Sequence, residues 1–96
     1  MWSNIMSKIN SSVCLKVHNF THWLELQFDL EAMGYIVDTA FSEMIISKHP
    51  RFKGLYLHIE PDFTACLHTH TLGSEVQPNF EYIVNELPQR PKGKVV

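Results

Sequence analysis

The sequence predicts an α+β domain: a mainly antiparallel sheet of four to five strands, two helices packed on one of its faces, and a short amphipathic segment at the N-terminus. Three observations carry this expectation. Residues 54–71 contain two runs of alternating apolar residues around Pro61-Asp62, the pattern of an antiparallel hairpin. Residues 21–33 are rich in Leu, Glu, Gln, Ala and Met, which favour a helix. Phe80, Ile83, Val84 and Leu87 recur at the spacing of a second helical face.

The chain has 96 residues, of which 45% are apolar, enough for one domain with a core. That domain is expected over residues 1–87, followed by a flexible basic tail at 88–96, whose sequence PQRPKGKVV has too little apolar surface to fold. A net charge of −2 excludes a generally basic nucleic-acid binder. The charges are segregated. Glu25, Asp29 and Glu31 cluster early and Lys48, His49, Arg51 and Lys53 cluster mid-chain, which suits an oriented docking partner. Two distant cysteines, Cys14 and Cys66, make no CxxC pair and no disulfide framework. With no signal-peptide pattern and no apolar run of membrane-spanning length, the expected compartment is the reducing cytoplasm.

In chain order, Trp2, Ile5, Met6 and Ile9 form one stripe of a short N-terminal helix. A helix this short needs support, either from the protein's own sheet or from a partner or second copy. Val13, Leu15 and Val17 alternate with Cys14, Lys16 and His18 as a strand does. Asn19 or Thr21 then caps a helix that ends at Gly34. The same stretch also alternates like a strand, but it has no β-branched residue beyond Thr21, so a helix is expected. On that helix Leu24 and Phe28 fall outside the stripe of Trp23, Leu26, Leu30 and Met33, and need a second surface to cover them.

Tyr35-Ile36-Val37 and Met44-Ile45-Ile46 are read as strands separated by a bend at residues 38–42, and Pro50 makes residues 48–53 a loop. In the hairpin, Leu55, Leu57 and Ile59 share one core with Phe63, Ala65 and Leu67 only if the loop has an odd number of residues, most simply three within 60–63. The opposite face then carries Tyr56, His58 and Glu60 beside Thr64, Cys66, His68 and His70. Ser74-x-x-Gln77 resembles a capping box, and Pro78 suits the first turn of a helix over 78–87.

Three chemistries compete for these residues. His58, His68 and His70 share a face with Cys66, and zinc wants about four such ligands. The offset between His58 and His68 is long for one ion, and no HExxH or paired-cysteine motif is present, so neither metal nor cofactor is expected. Cys66 in mid-strand lacks the tight turn or helix N-terminus that activates a nucleophile, so no enzyme is expected either. Lys48, His49, Arg51 and Lys53 with the ring of Phe52 have the makings of a phosphate or single-stranded nucleic-acid site. The leading expectation is a non-enzymatic protein-binding module that docks on a larger protein complex, as an inhibitor or adaptor does. Its candidate contacts are Lys48, His49, Arg51, Phe52, Lys53, Tyr56, His58, His68 and His70, with Trp2, Ile5, Met6 and Ile9 as a partner or oligomer stripe.

Overall fold

The alternation at Val13, Leu15 and Val17 builds the first strand of a five-stranded sheet in a computed structural model that describes residues 12–87. The N-terminal stripe and the basic tail lie outside the described residues. The elements are β1 (Val13–Lys16), α1 (Phe20–Ala32), β2 (Ile36–Val37), α2 (Thr39–Lys48), β3 (Tyr56–Ile59), β4 (Thr64–His68), β5 (Val76–Gln77) and α3 (Phe80–Ile83), which runs into a 3-10 turn at Val84–Glu86. The strands lie in the order β2-β4-β3-β1-β5.

The sheet is mixed rather than mainly antiparallel. β3 pairs antiparallel with both β1 and β4, while β2 adds to β4, and β5 to β1, in parallel. The reason is connectivity. A helix joins β1 to β2, and a strand-helix-strand crossover returns the second strand in the direction of the first. Two antiparallel steps separate β4 from β1, so β4 also runs that way, and β3 alone opposes the rest.

The hairpin has the expected register. Leu57 pairs with Leu67 and Ile59 with Ala65, which leaves Pro61, Asp62 and Phe63 as a three-residue loop. Phe63 N donates to the Glu60 carbonyl at 3.1 Å, and Phe63 takes the left-handed conformation at φ 69. This is a tight turn followed by one left-handed residue, a common three-residue hairpin connection. Phe63 lacks glycine's freedom there but packs edge-on against Tyr35, with ring centroids 5.4 Å apart. Leu55, Leu57, Ile59, Ala65 and Leu67 are all buried. They join Val13, Leu15 and Val17 of the N-terminal strand region, Trp23, Leu26 and Leu30 of α1, and Phe80 and Ile83 of α3 in one core.

Residues 20–32 are helical, as their composition predicts. The Asn19 side chain accepts from His22 N at 2.8 Å. At the other end Tyr35 N donates to the Leu30 carbonyl and Gly34 N to that of Glu31, both at 3.0 Å, with Gly34 at φ 92. That bond pair is the Schellman closure, which a glycine permits at little cost.

Two element assignments change. Met44-Ile45-Ile46 belongs to α2 and not to a strand, so there are three helices rather than two. The expected bend is the start of α2, where the Asp38 carboxylate accepts from Phe41 N at 3.0 Å. A short apolar run does not distinguish strand from helix, and here the cap decides. Ser74 to Gln77 is no capping box: Val76 and Gln77 pair with Cys14 and Leu15 as an edge strand, and Asn79 caps a shorter α3 by accepting from Tyr82 N at 2.8 Å. Among the described residues no helix is long and apolar enough to cross a membrane.

Candidate functional site: the polar sheet face and the outer face of α1

Strand register lays the polar face out in rows. Cys14, His58 and Cys66 form one row across β1, β3 and β4, and Lys16, Tyr56 and His68 form the next. The expected face assignment is therefore right, but the face is not simply open. His58 is only 1% exposed and Cys14 is fully buried. His58 Nε2 lies 2.9 Å from the His70 carbonyl oxygen. A carbonyl only accepts, so Nε2 carries the hydrogen. His58 Nδ1 is buried with no hydrogen-bond partner among the described residues.

The histidine rings are close without converging. His58 meets His68 edge-on at 4.7 Å between centroids, His68 and His70 are 6.2 Å apart, and Phe41 of α2 approaches His68 at 6.1 Å. The Nε2 of His58 is committed to a carbonyl rather than to a shared point between the rings. Among the described residues no three His, Cys, Asp or Glu side chains are grouped to hold a metal ion. Burial lowers the pKa of His68, reinforced by the neighbouring His58 and His70 and opposed by Glu60.

Neither thiol is activated. Cys14 Sγ lies 3.9 Å from His58 Nε2, but burial pushes the thiol up to about 11. Burial also raises Cys66 and outweighs the hydrogen bonds it makes with the Ser42 hydroxyl and the Leu67 carbonyl. A thiol held protonated is a poor nucleophile. Tyr56 is half-buried with the Lys16 ammonium 5.5 Å above its ring, a cation–π contact within the sheet face.

The basic segment keeps its cations in solvent, since Lys48, Arg51 and Lys53 are all exposed, and His49 beside them is exposed too. Phe52 does not join them. It is 6% exposed, part of the core, and held at φ 55. No Phe, Tyr or Trp ring of that loop is left for a base to stack on, and its exposed aromatic ring is the His49 imidazole. The register of β3 with β4 sets this loop at the same end of the sheet as His68 and His70.

An aligned row of exposed large apolar side chains lies elsewhere. On α1, Phe20, Leu24 and Phe28 follow one another at four-residue spacing on the side away from Trp23, Leu26 and Leu30. Phe28 is 75% exposed, Phe20 51% and Leu24 47%. Thr21, Glu25, Gln27 and Glu31 line a groove with Leu24 and Phe28. The sequence points to Leu24 and Phe28 as needing cover. Phe20 extends the row by one further step of four, a signal the helical wheel carries once the helix starts at residue 20. A smaller exposed set, Ile36, Phe41 and Met44, lies on β2 and α2.

Comparison with family models, characterised proteins and solved structures finds no match to this chain.

Proposed function

We propose that this chain is a non-enzymatic docking module, an inhibitor or adaptor that binds a larger protein through the outer face of α1. The observation that carries the reading is the row of Phe20, Leu24 and Phe28 on the solvent side of a helix whose opposite side is fully committed to the core. Scattered exposed apolar residues are ordinary, whereas an aligned row with a polar border is the form of a contact surface. Protonated thiols and a histidine bonded to a carbonyl fit a structural role for the polar face. Two free cysteines that are not paired with each other suit the reducing cytoplasm.

The test is capture of partners from nuclease-treated extract by the wild-type chain and by the Leu24→Ser/Phe28→Ser variant. Phe28 is mostly solvated and Leu24 about half, so the variant stays folded and loses the captured protein. An unchanged captured protein would overturn the reading. A second reading, nucleic-acid or phosphate binding, is favoured by the exposed Lys48, Arg51 and Lys53. It requires instead that neutralising Lys48, Arg51 and Lys53 abolish binding to oligonucleotides, with a salt slope smaller by roughly one unit per lost phosphate contact.

A further inference from the structure

We infer that the partner seated on α1 is a basic amphipathic helix, an inference that rests on the docking reading and names the chemistry of the occupant. The shape of the row comes first. Phe28 lies eight residues beyond Phe20, about 12 Å along the helix axis, or slightly more than two turns. The backbone hydrogen bonds of α1 are closed within the helix and its two ends, so this surface offers no edge to an added strand. Contact is therefore side chain to side chain, and the occupant must bring an apolar row of its own. A helix with apolar residues three and four apart does so over the same length.

Charge then selects among helices. α1 contains no lysine or arginine, and the carboxylates of Glu25, Asp29 and Glu31 are exposed around the row. Asp29 and Glu31 sit toward the C-terminal end of the helix, where the dipole disfavours negative charge, and no basic residue occupies that last turn. They have no ion-pair partner among the described residues. Lysines or arginines flanking the apolar row of a partner would supply the missing opposite charge.

The same charges argue against other occupants. A second copy packed face to face would bring the three carboxylates against their own equivalents, since a two-fold contact sets one patch on itself. The chain's basic loop cannot substitute, because Phe52, its one large apolar side chain, is in the core. An anionic membrane surface is repelled for the same reason as a second copy.

The full-length chain is titrated with fluorescent model peptides of about 14 residues that share one leucine row and carry lysine or glutamate on the polar side. The leucine–lysine peptide should bind in the micromolar range, and the leucine–glutamate peptide about tenfold more weakly or worse. Leu24→Ser/Phe28→Ser should weaken the lysine peptide about tenfold, and Glu25→Lys/Glu31→Lys should reverse the preference. Equal affinity for the two peptides, lost in the serine variant, would overturn the basic partner and leave the docking reading standing. Failure of the lysine peptide to bind, or binding indifferent to the serine variant, overturns the inference. So does self-association through the row in sedimentation velocity, or partition of the chain into phosphatidylcholine vesicles through the same residues.

Discussion

The Ser42 hydroxyl of α2 accepts a hydrogen bond from Leu67 N at 3.0 Å and takes over the edge of β4 where β2 ends. β2 pairs only at Ile36↔Thr64 and Val37↔Ala65, and Asp38 N makes the last ladder bond, to the Ala65 carbonyl at 2.8 Å. The chain then turns into α2, which would leave the next inward donor of β4 without a strand. Ser42 is fully buried and fills that place. A parallel edge strand of two residues is thereby enough, because a helix completes its work.

Ser42→Ala removes that acceptor and strands a buried N–H. The expected loss is about 1–3 kcal/mol in urea denaturation, the usual cost of an orphaned buried donor. Ser47→Ala, at an exposed hydroxyl bonded 2.8 Å from the Met44 carbonyl, serves as the control and should stay within about 0.5 kcal/mol. Equal effects at the two serines would mean that Leu67 N finds another partner.

Leu57 and His58 are neighbours on β3 that point to opposite faces, and both should matter. Leu57→Ala empties a fully buried core position and should cost about 2–5 kcal/mol. His58→Ala deletes the donor to the His70 carbonyl and should cost roughly 1–3 kcal/mol. Thermal melts of the two variants check this. A wild-type melting temperature for His58→Ala would show that its burial contributes nothing.

How much of this could be read from the residues follows from what each signal depends on. Parity fixes faces, so Leu55, Leu57, Ile59, Ala65 and Leu67 were legible as core from alternation alone. Burial of His58 was not, because it depends on a carbonyl twelve residues away in a loop without periodicity. Phe52 was misassigned because its neighbours Arg51 and Lys53 mark a polar loop, while the left-handed backbone turns its ring inward. Met44-Ile45-Ile46 is β-rich by composition, and only the Asp38 cap reveals the helix. The α1 row was half legible: Leu24 and Phe28 stood out as uncovered, and Phe20 needed the helix boundary.

Thiol reactivity should separate the two cysteines. Cys14 is fully buried with its pKa pushed up to about 11, so it should resist a disulfide reagent in the folded protein and react only through opening of the sheet. In a Cys66→Ser variant the remaining thiol should therefore label slowly, at a rate that climbs with urea. In Cys14→Ser, the half-buried Cys66 should label faster at the same pH. Rapid labelling of Cys14 without denaturant would contradict the buried row.

Mild acid should weaken the fold through two histidines. Burial lowers His22, helped by the adjacent His18 and opposed by Glu25 and Glu81. His22 Nδ1 also accepts from His18 N at 3.2 Å, a bond that only an unprotonated Nδ1 can make. Burial likewise lowers His68, and the nearby His58 and His70 add to the effect. With the folded value depressed, the unfolded chain takes up protons first as the pH falls, so protons favour unfolding. The loss should begin near the ordinary histidine value of about 6.5, deepen toward the lowered values, and level off below them. Melting temperatures should thus fall between about pH 7.5 and about pH 5.5, and a His22→Gln/His68→Gln variant should fall less over that interval. The same slope in both proteins would assign the acid sensitivity to other groups.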